Sequence, residues 1–265
     1  MVLHENSLST FFEDKFQQNF QRVCKNLKIY LSDPNDEKIV HDVRTSLRRL
    51  NTFYSLLSKK LRKLNRNKIE KYKDFFRASS KIRDLDTIRK KVAALARDAE
   101  DASKLDLQLQ NKRQIELMQV IKLAKSLEKM TSLAFKGTSS YKIETRADKV
   151  IDRLGVKVEE LLPLILSDPS KKEELHSLRK NYKKLRYTLE VLPESHIKKY
   201  NRKIDRITGR KDLKEIQDKL GSIRDSDITI GYLRNKRSGF AKQLLVKEGA
   251  TRDRLYQEFA KYIKE

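Results

Sequence analysis

The sequence is poor in the residues that build turns and crosslinks. Its 265 residues include only 7 Gly and 4 Pro, too few for a β-sandwich or barrel, which needs a turn about every 8–12 residues. The glycines are too widely spaced for the glycine-rich phosphate loop of a Rossmann or P-loop enzyme. The single cysteine, Cys24, excludes an internal disulfide framework and a cysteine-based zinc site.

Long apolar segments are also missing. The longest unbroken apolar run, residues 161–166, is far shorter than the roughly 20 residues of a membrane-spanning helix. Residues 1–10 have neither the basic start nor the apolar stretch of a secretory signal. We therefore expect a cytoplasmic protein with no membrane partner.

Positive charge is what the sequence has in excess. Lys and Arg number 61 against 37 Asp and Glu, which gives a formal net charge of +24. Residues 41–91 and 171–214 together carry +21 of this charge, whereas the remaining 170 residues are close to neutral. Charge that is concentrated in two blocks indicates a polyanionic partner rather than a generally soluble surface.

An internal repeat accounts for the two basic blocks. Residues 31–50 and 166–185 align at an offset of 135, with seven of 20 positions identical. Farther along, the Ile-Arg-Asp-Leu-Asp sequence of residues 82–86 recurs as Ile-Arg-Asp-Ser-Asp at residues 223–227. The pattern predicts a single domain with a duplicated unit. Its first helical repeat spans about 1–137 and its second about 141–265.

Apolar residues recur at a spacing of three to four along most of the chain, which predicts an all-α protein. The expected helices cover residues 8–31, 36–62, 66–101, 105–134, 146–166, 171–192, 197–220 (with a break near Gly209), 222–237 and 240–263. Asp33-Pro34 and Asp168-Pro169 predict matched ends for the first helix of each repeat, with each proline in the opening turn of the next helix. Two bundles of about four helices each would bury the apolar faces.

The second helix of each repeat has a basic face beside its apolar stripe. These two faces consist of His41, Arg44 and Arg48 in the first repeat and His176, Arg179 and Lys183 in the second. Arginine can bridge two phosphate oxygens, lysine adds a mobile charge, and a bound anion would favour protonated histidine. The faces therefore predict phosphate binding, with the two sets lining one shared groove.

These residues resemble the CHAD family, the conserved histidine α-helical domain. The family's duplicated pattern of an apolar residue, His, two residues and Arg is met at residues 40–44 and at residues 175–179. Its Leu-Gly-x-x-Arg-Asp-x-Asp pattern is met completely at residues 220–227. The first-repeat counterpart, residues 79–86, keeps Arg-Asp-Leu-Asp but lacks the Leu-Gly pair.

The resemblance implies two pseudo-symmetric four-helix bundles with a basic central groove or pore. It also implies binding of inorganic polyphosphate without catalysis or a cofactor, and suggests association with polyphosphate granules. Family members are often fused to a triphosphate tunnel metalloenzyme domain. The alternating acidic signature of that domain is absent here, so we expect a stand-alone, non-enzymatic binding module.

The expected phosphate ligands fall into two groups. The first group is His41, Arg44, Arg48, Arg49, His176, Arg179, Lys183, Lys184 and Arg186. The second group, whose facing depends on helix rotations that the sequence does not fix, is Lys81, Arg83, Lys180, Lys199, Arg202, Arg206 and Arg210.

Metal-dependent chemistry is the first alternative. His41-Asp42 matches the dipeptide of metal-dependent phosphohydrolases, but the repeat has Ser177 in place of the aspartate and few other histidines are present. Four aspartates have the spacing of a possible Mg²⁺ site, namely Asp84, Asp86, Asp225 and Asp227. Each pair follows an arginine, so we expect these carboxylates to cap helices and form ion pairs instead, with no metal site.

Nucleic acid is the strongest alternative partner, because total charge does not distinguish polyphosphate from RNA or DNA. The sequence shows no helix-turn-helix, RRM, KH or zinc-finger pattern, and its aromatic residues lie mostly at core spacing. We therefore expect nucleic acid to act as a competing polyanion. A helical scaffold for an acidic protein is a third alternative, but no convincing interface hydrophobics lie among the charges.

Overall fold

The computed structural model of the chain describes residues 7–95, 100–130, 132 and 138–265. In these ranges all regular structure is α-helical, which confirms the predicted all-α class. The helices are α1 (Leu8–Ser32), α2 (Glu37–Leu56), α3 (Lys59–Leu64), α4 (Arg66–Leu95), α5 (Glu100–Glu128), α6 (Ser140–Ser167), α7 (Lys172–Glu190), α8 (Glu194–Thr208), α9 (Leu213–Leu233) and α10 (Gly239–Lys264). None of them combines the length and the apolar character that crossing a membrane requires.

Aspartates shape the predicted ends of α1 and α6. The two helices end at Ser32 and Ser167, one residue before each Asp-Pro pair, as the sequence predicts. Asp36 is the N-cap of α2, and its carboxylate accepts a hydrogen bond from the backbone N–H of Lys38 at 2.7 Å. This bond stabilises the start of the helix, because that N–H has no partner within the helix. The prolines therefore lie in the turns before α2 and α7, and their predicted place in the opening turn is wrong.

Two predicted helix boundaries are wrong for local reasons. The helix expected at 36–62 is divided, because the Ser58 hydroxyl accepts the N–H of Leu61 at 3.4 Å and begins α3. The break expected between residues 220 and 222 is absent, since α9 continues through Gly221. By contrast, the break near Gly209 is confirmed. Gly209 and Arg210 both have a left-handed backbone, with φ of 61° and 62°, which ends α8.

The sequence predicts a break at residues 102–104, but these residues are helical within α5, which is described from Glu100, while α4 is described as far as Leu95. Parts of the helices expected at 66–101 and 105–134 lie outside the described residues. The end of the predicted first repeat, Gly137, also lies outside them.

The chain divides into two compact units. Unit 1 comprises Met1–Ala78, Gln119–Val156 and Lys184–Ile204, and unit 2 comprises Ser79–Met118, Lys157–Lys183 and Asp205–Glu265. Each unit takes segments from both predicted repeats. The duplication and its division at 1–137 and 141–265 stay predictions from the sequence.

The core of unit 1 is rich in aromatic residues. The ring of Phe53 on α2 meets the rings of Phe12 and Phe16 on α1 edge to face, at centroid distances of 4.9 and 5.8 Å. The predicted apolar stripe of α2 faces the same interior, since Val43 and Leu50 are fully buried. This packing fixes the rotation of α2, so its basic residues lie at the edge of the core or outside it.

The core of unit 2 joins four helices. Ile88 of α4, Leu109 of α5, Leu233 of α9 and Leu244 of α10 belong to one buried cluster. On α7, Leu178 is fully buried as the predicted stripe requires. Burial of this stripe sets the rotation of α7 in unit 2 and with it the direction of the residues beside it.

Candidate functional site

Arg44 and Arg48 of α2 share one aromatic ring. The Arg44 guanidinium lies 4.3 Å from the centroid of the Phe76 ring on α4, and that of Arg48 lies 4.7 Å from it. Arg44 is only 4% exposed, and its Nη1 donates a hydrogen bond to the backbone oxygen of Phe76 at 3.0 Å. Arg44 therefore joins α2 to α4, while the half-buried Arg48 presents a guanidinium held on an aromatic face.

Arg49 and Arg186 are bridged by one carboxylate. Arg49 Nε lies 3.1 Å from Glu190 Oε2, and Arg186 Nε lies 3.1 Å from Glu190 Oε1. All three side chains are about 30% exposed. Two guanidinium groups around one carboxylate retain a net charge of about +1, so Glu190 occupies the kind of position that a phosphate oxygen would take.

The two predicted histidines have different surroundings. The side chain of His41 is 63% exposed, with Nδ1 3.5 Å from an Asp42 carboxylate oxygen. His176 is half-buried. Burial and the nearby charges of Lys180, Arg224 and Arg179 lower the pKa of His176 from 6.5 to about 4. His176 is therefore neutral at pH 7 in the absence of a bound anion.

Gly221 of α9 lies beside Arg179 of α7. A Cβ atom at this position would lie 3.9 Å from Arg179 Nε and 4.0 Å from Arg179 Nη2, which is ordinary van der Waals contact. The guanidinium of Arg179 is therefore next to the backbone of α9, and an alanine at position 221 would also fit there.

The four motif aspartates lie inside α4 and α9, so the expectation that they cap helices is wrong. Their expected ion pairs are confirmed. Asp84 Oδ1 lies 3.1 Å from Arg224 Nη2, and Asp225 Oδ1 lies 3.8 Å from Arg224 Nη1. Within the described part of the chain, no group of three or more His, Cys, Asp or Glu side chains is arranged to hold a metal ion.

The second aspartate of each motif has a buried arginine partner that the sequence analysis missed. Arg113 Nε lies 2.7 Å from Asp86 Oδ1, and Arg252 Nε lies 3.2 Å from Asp227 Oδ1. The arginine side chains are only 8% and 7% exposed. The sequence carried a weak signal, because each arginine follows its aspartate by a similar interval, 27 and 25 residues. Both arginines lie outside the two basic blocks, residues 41–91 and 171–214.

Three of the seven residues in the second group of expected ligands are paired with acidic partners. Lys81 pairs with Glu116 at 3.2 Å, Lys199 with Glu144 at 2.6 Å and Arg206 with Glu159 at 2.9 Å. The rest of the group is Arg83, Lys180, Arg202 and Arg210. Among the residues described, none of these four forms an ion pair with a carboxylate.

The expected ligands are divided between the two units, and we name a basic cluster in each from the residues on and around the His-Arg helices, with Arg224 added. The unit 1 basic cluster consists of His41, Arg44, Arg48, Arg49, Lys184 and Arg186. The unit 2 basic cluster consists of Lys81, Arg83, His176, Arg179, Lys180, Lys183 and Arg224. Lys183 and Lys184 are both half-buried. The shared groove expected from the sequence stays a prediction.

Comparison with known proteins identifies the family of the chain. The sequence model of the CHAD domain matches residues 15–234, and the chain belongs to the CHAD family. The crystal structure of the CHAD domain from the plant Ricinus communis is similar, with a TM-score of 0.64 and 14% sequence identity. The match covers 99% of this chain and 93% of the plant chain, and at this identity it supports the fold alone. No curated protein sequence matches the chain.

Proposed function

We propose that the protein binds inorganic polyphosphate through its basic clusters and does not catalyse a reaction. The arginines on the two His-Arg helices carry this proposal, because each is held in place by its neighbours. Arg48 is stacked on Phe76, and Arg179 lies against Gly221. Polyphosphate binding is the known property of the CHAD family, which supports the same ligand here.

Fixed guanidinium groups suit a phosphate chain. Each planar fork can bridge oxygens of neighbouring phosphates, and a side chain that is already positioned loses less conformational entropy on binding. Between Arg49 and Arg186, a phosphate oxygen would compete with the carboxylate of Glu190 for the same donors. Polyphosphate needs no base-reading groups, and its repeated charges match a series of cations.

A binding role also fits how the nearby carboxylates are used. Asp84 and Asp225 pair with Arg224, and Glu190 pairs with Arg49 and Arg186. A carboxylate held in an ion pair is a poor general base, because the neighbouring cation favours its ionised form. The clusters are therefore suited to hold phosphate groups rather than to activate water. Association with polyphosphate granules stays a prediction.

The test is a competition between two polyanions. Labelled single-stranded RNA bound to the protein is titrated with long-chain polyphosphate, and labelled polyphosphate with RNA, at equal phosphate concentrations and fixed salt. Polyphosphate should displace RNA at the lower concentration, and Mg²⁺ or Mn²⁺ should cause no phosphate release. Equal or tighter binding of RNA would contradict the proposed ligand. Turnover that disappears in His41→Ala would contradict the non-catalytic role.

Polyphosphate should raise the pKa of His176. In the free protein burial and three neighbouring cations hold this pKa at about 4, and a bound phosphate would stabilise the charged imidazolium. Binding then takes up a proton, so affinity should rise as the pH falls from 7 through the pKa of the bound state, and should level off below about 4.

The measurement is an NMR titration of the histidine ring protons with and without polyphosphate. His176→Gln assigns the signal, and His196, which is not among the expected ligands, serves as an internal comparison. A His176 pKa that stays the same or falls on saturation would show that no phosphate lies near this ring.

A further inference from the structure

A polar cleft lies between α1 and α2 in unit 1, at residues that the predicted sites do not include, apart from Arg49. Its larger part has a volume of about 600 Å³ and is lined by Gln21, Lys25, Asp42 and Thr45 among others. An adjoining pocket of about 260 Å³ includes Asn19 and Glu190. The two share Gln18, Arg22 and Arg49 in their linings, so we treat them together as the α1–α2 cleft.

Cations line this cleft along α1. Arg22 and Lys25 are exposed, and within the described ranges neither forms an ion pair with a carboxylate. Arg49 contributes a third cation from α2. These three positive charges suit a ligand that carries phosphate groups. The volume lies within the range of roughly 300–1,000 Å³ that is usual for small-molecule sites.

The cleft also has hydrogen-bond acceptors that a ligand with donor groups would satisfy. Asn19 is 6% exposed, and its Nδ2 donates to the backbone oxygen of Ser46 at 3.0 Å, which fixes the orientation of the amide. Its Oδ1 and the Thr45 hydroxyl are buried, and neither has a hydrogen-bond partner among the described residues. An amide oxygen only accepts, and a buried polar atom is usually paired. The Asp42 carboxylate in the lining adds another acceptor.

These two requirements distinguish between possible ligands. A phosphate chain at neutral pH consists of acceptors, so it can satisfy the three cations but not Asn19 Oδ1 or Asp42. A nucleotide would need an exposed aromatic platform, and Phe53, the aromatic residue in the lining, is only 2% exposed. We propose that the α1–α2 cleft binds a phosphorylated polyol, a small molecule with both phosphate groups and free hydroxyl groups.

The test compares three probes by calorimetry at physiological salt. These are myo-inositol 1,4,5-trisphosphate, inorganic tripolyphosphate, which lacks free hydroxyl groups, and myo-inositol, which lacks phosphate. We expect the trisphosphate to bind more tightly than tripolyphosphate, and myo-inositol to show no measurable binding. The proposal would be overturned if tripolyphosphate bound as tightly as the trisphosphate and lost as much affinity in Arg22→Gln with Lys25→Gln, since both probes would then occupy the cleft equally well.

Variants locate the site. Arg22→Gln with Lys25→Gln should lower the affinity for the trisphosphate by about tenfold, since two charge-assisted contacts are lost. Lys28→Gln with Lys38→Gln removes the same charge from exposed residues of α1 and α2 outside the cleft, and should change the affinity by less than about twofold. Equal losses in both pairs would contradict a site in the cleft.

Thr45→Val, which replaces the hydroxyl by a methyl group, should weaken binding of the trisphosphate more than binding of tripolyphosphate. The hydroxyl can donate to a phosphate oxygen of either probe, but it can accept a hydrogen bond only from the free hydroxyl groups of the trisphosphate. Equal effects on both probes, or none on the trisphosphate, would overturn the role of hydroxyl groups. The proposal stands apart from long-chain polyphosphate binding. If the cleft does not bind a phosphorylated polyol, the affinity for the trisphosphate will be lost. If the proposed function is wrong, the affinity for long-chain polyphosphate will be lost.

Discussion

Arg252→Ala is expected to lower the free energy of unfolding by about 3 kcal/mol. Arg254→Ala, two residues along α10, should lower it by less than about 0.5 kcal/mol. Arg252 pairs with Asp227 with side chains only 7% and 15% exposed, and its Nη2 donates to the backbone oxygen of Pro169 at 2.5 Å. Arg254 pairs with Glu258 at 2.6 Å, but those side chains are 64% and 48% exposed. Loss of a buried partner leaves Asp227 without its main counterion, whereas water replaces an exposed one.

The measurement is urea unfolding followed by far-UV circular dichroism, with the m-value as a check on two-state behaviour. Arg113→Ala should behave like Arg252→Ala, because Arg113 pairs with Asp86 at a similar depth. Stability losses that are equal in Arg252→Ala and Arg254→Ala would show that burial of the pair does not matter. Such a result would remove the structural explanation of the second motif aspartate.

The helices were predictable because local patterns determine them. Apolar spacing placed the buried stripe of α2, and the Asp-Pro pairs placed the ends of α1 and α6. The division at Ser58 and the continuity through Gly221 were not predictable in this way. Whether a serine caps a helix depends on the packing that bends the chain there. A single glycine within a helix costs only about 1 kcal/mol relative to alanine, so the packing of α9 decides whether the helix continues through Gly221.

The chemistry of the clusters was predictable only in part. Spacing placed Arg44 and Arg48 on one face, but the burial of Arg44 depends on Phe76, which lies 32 residues away. Glu190 is 141 residues from Arg49, and no periodicity within one helix relates the two. The packing between helices therefore determines which cations are already paired, and local sequence patterns do not predict these pairs.

Removal of two cations from the unit 2 basic cluster should have the largest effect on ligand binding. Arg179→Gln with Lys183→Gln is expected to lower the affinity for long-chain polyphosphate by at least about tenfold. A hydrogen bond from a charged donor contributes about 1.5–3 kcal/mol, and partial exposure of the two side chains reduces this value. Each lost contact should also reduce the slope of log K against log salt by roughly 0.7–0.9, as for nucleic-acid phosphates. Lys242→Gln with Lys247→Gln removes the same charge from exposed positions of α10 and serves as the matched control.

Glu190→Gln should act in the opposite direction. The substitution removes the carboxylate that bridges Arg49 and Arg186 at 3.1 Å, so both guanidinium groups become available to phosphate without a competing anion. Affinity for long-chain polyphosphate should rise several-fold, and the salt slope should become steeper because more cations contact the chain. The neutral control is Glu258→Gln, which removes the same charge from an exposed ion pair of α10. If Glu190→Gln and Glu258→Gln change the affinity equally, the effect is one of net charge, and Arg49 and Arg186 do not contact the phosphate chain.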